Sequence, residues 1–329
     1  MKIFLTGGAG YVGSRVAAHL LSSGHSVTVF DALVYGGQAL LPFIGHPSFT
    51  LLKGDVRDRD RLGAAMGDHD AVVHLAAIVG EAACSLDPAK TVAVNRDAAL
   101  GAVDVAESLG VGRFVFFSTC SNYGVSDPES LADEDAPLNP LSLYASTKVE
   151  FERAVLARKH AMSVTVLRLG TICGLSARMR FDLLVSEMAR AAVLGKPIEV
   201  YKPEAWRPYL HIADAGRAVD CVLRSERTKV AGRVFNVVGE NYQKLGLVRL
   251  VREHFPDAGV TVTEGKPDNR DYRVSAGRIA RELGFEPAHT VEQAFLETAH
   301  AVRDGVFVDP MWEGHSAIPL GSKPVRLAV

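Results

Sequence analysis

The stretch Lys2–Ser14, KIFLTGGAGYVGS, restricts the fold more than any other part of the chain. A short apolar run, Ile3, Phe4 and Leu5, reads as a buried strand. Thr6 ends it, and a helical pattern starts directly after the glycines. The glycines meet three separate needs. Gly7 permits a tight turn out of the strand, Gly10 lets the backbone approach a pyrophosphate, and Gly13 lets the new helix pack closely on the strand. The free N–H groups and positive dipole end of that helix then face the phosphates. Alone, such a hexamer could be an ordinary turn. Between a strand and a helix, with an acidic residue about twenty positions on, it reads as a dinucleotide cradle.

The chain that follows keeps the same rhythm. Val12 to Leu21 has helical spacing and stops near Ser22–Gly24. Val27 to Phe30 is a second strand, ended by Asp31. A carboxylate there can accept both hydroxyls of an adenosine ribose and would repel a 2′-phosphate, so the expected cofactor is NAD rather than NADP. A turn or capping Asp is the competing role. Residues 49–54 form a third strand, with Asp55 and Val56 at its carboxyl end, beside the expected adenine. For Asp55 the competing role is to cap the helix from about residue 58. The fourth strand, Ala71 to Leu75, runs into Ala76 and Ala77, small residues that leave room for a cofactor at the sheet crevice. Residues 88–109 read as one long helix, with Asn95 on its apolar side as an anchor for the central strands. Arg113 to Phe117 is the fifth strand. Strands alternating with helices in this way predict a Rossmann-type, doubly wound α/β parallel sheet covered on both faces.

Composition sets the outer limits. A chain of 329 residues can form one large domain with a smaller lobe. Its net charge of −2 and its lack of charge blocks give no sign of a nucleic-acid surface. The apolar runs are strand-length, which argues against a membrane span, and the immediate entry into a strand leaves no room for a signal peptide. Cys84, Cys120, Cys173 and Cys221 are isolated, with no metal-ligand spacing. Reduced thiols, a cytoplasmic location and no structural metal are therefore expected.

Chemistry enters after the fifth strand. Ser118-Thr119-Cys120-Ser121-Asn122-Tyr123-Gly124 is followed by the acidic loop DPESLADEDAPLNP, then by Leu141-Ser142-Leu143-Tyr144-Ala145-Ser146-Thr147-Lys148 and a helix to about His160. Tyr144 and Lys148 lie one turn apart and share a face. A free tyrosine, with a pKa of about 10, is a poor base near neutrality. A nearby ammonium and a cationic nicotinamide are expected to lower that value. The pair then makes a proton-transfer site beside a hydride carrier, with Thr119 at the neighbouring strand end bonding the same substrate hydroxyl. A Y-x-x-x-K spacing by itself more often marks a solvated helix face.

In order, T-G-G-A-G-Y-V-G, Asp31, G-D-V, H-L-A-A, S-T-C-S-N-Y-G and Y-A-S-T-K resemble the extended short-chain dehydrogenase/reductases. The branch is that of the NAD-dependent nucleotide-sugar epimerases and dehydratases of the UDP-galactose 4-epimerase kind. The resemblance runs from residue 1 to about 303. It implies a Rossmann domain over 1–170, to which later segments return, and a mainly substrate-binding α/β lobe over 171–304. It also implies tightly held NAD and a homodimer formed through a four-helix bundle. The family's catalytic triad falls on Thr119, Tyr144 and Lys148. Its cofactor contacts fall on Gly7, Gly10, Tyr11, Val12, Asp31, Asp55, Val56, Ala76, Tyr144 and Lys148, with Leu75 and Ala77 beside them.

The second half is less regular. Ser163 to Leu169 is a sixth strand, and Thr171 stands where the family usually has an Asn near the substrate diphosphate. A helix over 181–195 and a short strand over 198–200 follow. W-R-P-Y-L-H-I-A-D (206–214) resembles the family's R-x-Y-x-H-V-x-D segment and makes Arg207 a phosphate candidate. A solvated Arg at a strand start is its competing reading. Phe235 to Val238 is a strand and Leu247 to Phe255 a helix. D-N-R-D-Y-R-V-S-A-G-R-I (268–279) supplies Arg270 as the second phosphate candidate and Arg273 as the weaker one. A helix over 291–303 ends the recognisable fold, and 305–329 read as a draped or partly disordered tail without a function.

The resemblance also bears on the reaction. Dehydratases of the family carry an Asp-Glu pair after the strand-end Thr, where this chain has Cys120 and Ser121. Dehydration is thereby disfavoured, as is decarboxylation, and 4-epimerisation through a transient 4-keto sugar is left as the simplest outcome. Cys120 as an acid/base is a further possibility, although its register lies one position from that of epimerases using a thiol. A net dehydrogenase or ketoreductase is an alternative, and a non-catalytic NAD-sensing regulator is one of another class.

Overall fold

The computed structural model describes residues 1–126, 130–263 and 269–318. The first part of the acidic loop (127–129), Asp268, and the tail beyond residue 318, with Pro319 and Pro324, lie outside the described residues.

Twelve strands are present among the described residues: β1 (Lys2–Thr6), β2 (Ser26–Asp31), β3 (Phe49–Lys53), β4 (Ala71–His74), β5 (Arg113–Thr119), β6 (Ser163–Leu169), β7 (Thr171–Cys173), β8 (Ile198–Tyr201), β9 (Trp206–His211), β10 (Arg233–Val237), β11 (Glu240–Gln243) and β12 (Val260–Thr263). Seven form a parallel sheet in the order β10-β6-β5-β4-β1-β2-β3. β6 lies between the edge strand β10 and β5, and β5 and β6 are almost wholly buried. Two smaller sheets, β11-β9-β7 and β12-β8, belong to the second half of the chain.

Alternation along β1 shows how both faces are covered. Ile3 and Leu5 join Val16, Leu20, Val219 and Leu223 in one core; Phe4, between them, joins Phe30, Val72, Phe114 and Phe151 in another. The first face is closed by the helices Tyr11–Ser22 and Ile212–Arg224. They pack closely: a Cβ on Gly216 would come within 2.7 Å of the His19 Cβ. A third core, including Met188, Ile198, Tyr209, Leu247 and Phe295, holds the smaller sheets.

Several expected boundaries move. The long helix over 88–109 is three pieces: Pro88–Val92, a wider π-type turn Ala93–Ala98, and Ala99–Ser108. The interruption centres on Asn95, whose side chain accepts from Ile78 N and donates to Ile78 O, each at 2.8 Å. Asn95 thus holds the loop after β4 rather than the strands themselves. The helix that begins at Tyr144's turn is Leu143–Leu156, ending before His160, and the helix over 181–195 shortens to Leu184–Val193. The helix Arg59–Met66 is capped by Asp58, whose side chain accepts from Arg61 N, so the capping role does not fall to Asp55. Among the described residues no helix is long and apolar enough to cross a membrane, and no cluster of His, Cys, Asp and Glu could hold a metal ion.

Candidate active site

The glycine stretch forms a turn that leaves β1 and feeds the helix Tyr11–Ser22. Gly7 has φ +74, and a Cβ there would lie 2.7 Å from Ala76 N. A Cβ on Gly13 would lie 2.1 Å from Gly7 O and 2.7 Å from Gly8 Cα, so the helix start is seated directly on the turn. At Gly10 the only close atom is Gly7 O at 3.3 Å. Gly10 is the N-cap, no side chain caps the helix, and its first turn has no acidic residue. Those orphan N–H groups and the dipole end suit a pyrophosphate.

Asp31 stands at the end of β2. Its two oxygens accept from Ala9 N at 2.9 Å and Leu33 N at 2.8 Å. Each carboxylate oxygen keeps a second lone pair for a ribose hydroxyl. Burial raises its pKa, and the two backbone N–H bonds oppose that rise. Asp55 is held by Arg57, with Nη2 to Oδ2 at 2.6 Å, and this bonding keeps its pKa low. Val56 is buried in the core beside Phe30. Leu75 N donates to Thr6 O and Ala76 N to Thr6 Oγ1, which fixes the small-residue floor continued by half-buried Ala77. The Tyr11 hydroxyl donates to Gly174 O at 2.7 Å and half-buried Val12 packs into the core. Uncapped helix, close-packed turn and free lone pairs on Asp31 all fit a dinucleotide.

Tyr144 and Lys148 share one face of their helix, which Ser142 caps by accepting from Ala145 N. The buried Lys148 Nζ donates to Phe117 O at 2.8 Å, lies 4.4 Å from the Phe116 ring centre and 5.8 Å from that of Tyr144. Burial lowers its pKa to about 7, with Glu152 and Cys84 opposing. Burial also pushes the Tyr144 phenol well above its ordinary value. The cations that oppose this are Arg180 and Arg270. Lys148 Nζ, bonded to the Phe117 carbonyl, stands beside the Tyr144 ring, so the lowering of the phenol pKa by the ammonium and a bound nicotinamide belongs to the loaded site and is carried into the proposal below. Thr119, at the end of β5, is 8% exposed, and its Oγ1 accepts from Ser121 N at 3.1 Å.

The residues expected on the sugar side come from distant segments. Arg270 Nη1 donates to Ser121 Oγ at 3.2 Å, beside Thr119. Arg207 is buried, donates to Trp206 O at 2.7 Å, and sits 5.7 Å from the Tyr272 ring centre. Thr171 pairs with Tyr209 in the β7–β9 ladder, two residues from Arg207. Arg273 stacks on Trp206 at 5.0 Å. Cys120 is buried, its thiol donates to Arg168 O at 3.2 Å, and burial raises its pKa strongly. A thiol so placed is packing, not an acid or base.

Two features escaped the sequence reading. Under the site, Glu152 takes a two-pronged bond from Arg168 (Nη2 to Oε2 2.7 Å, Nε to Oε2 3.0 Å) and further bonds from Ser118 and Asn122. Lys148 and Glu152 are four residues apart, and Arg168 is the one charged residue of its strand; both were signals of a buried pair. Arg180, held by Asp182 through Nε at 3.0 Å and Nη2 at 2.6 Å, carries its charge toward Tyr144 and Tyr11, and no local motif marked it.

Comparison with known proteins follows this geometry. A family model described as the NAD dependent epimerase/dehydratase family matches residues 3–238. A dTDP-glucose 4,6-dehydratase of Streptomyces niveus is 31% identical over 321 residues, 92% of this chain and 93% of its own. A UDP-glucose 4-epimerase of Corynebacterium glutamicum is 30% identical over 92% of this chain and 95% of its own. A dTDP-glucose 4,6-dehydratase from Streptomyces venezuelae, solved with NAD bound, superposes with a TM-score of 0.84 at 25% identity, covering 96% of this chain and 100% of that one.

Proposed function

The chain belongs to the NAD-dependent epimerase/dehydratase family, and we propose that it is an isomerase: it epimerises a nucleotide-diphosphate sugar at C4 and keeps its NAD between turnovers. Bound NAD supplies reversible hydride acceptance. Tyr144 takes the proton from the C4 hydroxyl and returns it, Thr119 bonds the same oxygen, and Lys148 holds the nicotinamide ribose. Gly7, Gly10, Tyr11, Val12, Asp31, Asp55, Val56 and Leu75 to Ala77 hold the dinucleotide. Thr171, Arg207 and Arg270 take the sugar nucleotide in a lobe formed mainly by residues 171–304.

One observation carries the choice of epimerisation. The two side chains that follow Thr119 are a buried thiol turned to Arg168 O and a hydroxyl bonded by Arg270. Neither is an acid or base strong enough to eliminate water from a keto sugar. Returning hydride to the opposite face needs only the groups already named. A 4,6-dehydratase is the second reading, favoured by the names of several relatives.

The test is incubation with UDP-, dTDP-, GDP- and CDP-sugars in deuterated water without added cofactor, with products read by NMR. Inversion at C4 without deuterium uptake is expected. A 4-keto-6-deoxy product would establish the dehydratase, and no turnover of any sugar would remove both readings. A homodimer in the cytoplasm is part of the proposal; light scattering of the purified protein checks the first and fractionation the second.

A further inference from the structure

The chain past the helix Val291–Arg303 returns to the cofactor side of the molecule. The Tyr35 hydroxyl donates to Ala317 O at 2.6 Å, and Arg178 Nη2 donates to Ser316 O at 2.5 Å. The Arg178 guanidinium also lies 4.0 Å from the Tyr35 ring centre. Ala317 N donates to Asp182 at 3.2 Å, and Phe181 N donates to His315 O at 2.9 Å. The His315 ring is wedged edge-on among Phe181, Phe307 and Trp312 at 5.4, 5.5 and 5.2 Å. Ala317 itself is 5% exposed. This is a docked segment, not a loose end.

Its path matters because of strand order. Tyr35 lies in the loop after β2, four residues beyond Asp31. Gly80 lies in the loop after β4, and a Cβ there would stand 3.6 Å from the Ala317 Cβ. β1 runs between β4 and β2, and the loop after β1 is the glycine cradle. A segment that meets both outer loops therefore crosses the carboxyl end of β1, where a dinucleotide binds in this kind of sheet.

We propose that residues 307–317 form a strap across the NAD cleft that slows release of the dinucleotide. The strap rests on the family's NAD dependence and is independent of which sugar reaction follows. It ties the loop carrying Asp31 to the segment 178–182, so the cleft opens only when the Tyr35 and Arg178 bonds to the strap break. It also meets a charged pair: Asp182 accepts from Ala317 N and from Arg180.

The test compares the full chain with one ending at Val306, both loaded with NADH, whose release is followed by fluorescence after mixing with excess NAD. Circular dichroism and melting establish that each is folded. Release at least tenfold faster from the shortened chain is expected. In the full chain, Tyr35→Phe with Arg178→Ala should also speed release; in the shortened chain the same pair should add nothing. A folded shortened chain that releases NADH at the full-chain rate overturns the strap. So does a pair effect of equal size in both chains, which would put those side chains on the cofactor directly. Should the shortened chain not fold, unchanged release from the paired variant in the full chain overturns it alone.

Discussion

The two ends of the active site are built from different material. The cofactor end is backbone: a turn, a helix start and a strand end within the first thirty-one residues, with side chains mostly excluded. The proposed sugar end is side chain: Thr119, Tyr144, Arg180, Arg207 and Arg270 come from five separate segments. A backbone cradle demands glycine wherever a Cβ would strike another main-chain atom, and that demand is written in one short string. A side-chain site needs only that long groups reach a common point, which many spacings satisfy. The first end is therefore rigid and local; the second depends on packing of the whole second half.

This contrast predicts a separation of functions. Tyr144→Phe should lower turnover by roughly 10²–10⁴-fold, the usual worth of a positioned acid/base, and leave NAD content unchanged by absorbance and extraction. Loss of NAD from that variant would show that the two ends are not separable. Gly13→Ala should do the reverse. Its Cβ meets backbone at 2.1 Å, so overpacking should cost about 1–3 kcal/mol, lower the melting temperature and empty the cradle. Gly10→Ala sharpens the point, because only Gly7 O at 3.3 Å opposes its Cβ. It should melt near the wild-type temperature and still bind NAD less tightly. Equal melting losses at both glycines would mean that Gly10 serves the turn and not the ligand.

At the sugar end, Arg270→Ala should raise KM for the sugar nucleotide by roughly 10–100-fold, the range of about 1.5–3 kcal/mol for a charged hydrogen bond. NAD retention should not change. Because Arg270 also opposes the burial of the Tyr144 phenol, its loss should move the rising limb of the kcat profile, which reports the phenolate base, to higher pH. An unchanged profile with a raised KM would restrict Arg270 to binding.

The same contrast explains what could be read beforehand. Gly7, Gly10, Gly13, Asp31, Thr119, Tyr144 and Lys148 stood in strings whose order and spacing carry the chemistry, and the parallel sheet followed from the βα rhythm. The helix Ile212–Arg224, which completes one face of the sheet, was not singled out because it lies far along the chain from β1 and β5, whose residues it covers. Asn95 was legible as a buried polar group in need of partners, but not its choice of the loop after β4, nor the π-type turn that results. Arg180 and the strap were invisible: their positions depend on Asp182, Tyr35 and Gly80, which meet only in the folded chain. The bond from Lys148 to Phe117 O was hidden for a related reason. Spacing put the two on one face, but the carbonyl that takes the ammonium belongs to β5.

Lys148 lies where the two ends join, and its burial gives the smallest of the predicted effects. Its folded pKa of about 7 is below the unfolded value of about 10.4. Between those values the unfolded chain binds more protons, so this group makes stability rise with pH. The contribution is fully present above the unfolded value and is lost as pH falls through the folded one. From pH 7 to 8 the gain should be about 1 kcal/mol. Unfolded cysteines, with pKa about 8.5, begin to oppose it near the top of that window, equally in wild type and in a lysine variant. The measurement is urea unfolding of NAD-free protein at both pH values, for wild type and Lys148→Met. Titration of buried histidines is common to both proteins and cancels in the difference. Wild type should gain about 1 kcal/mol more than the variant over that interval. An equal gain in both would mean that the ammonium stays fully charged in the fold, held by Phe117 O and Glu152.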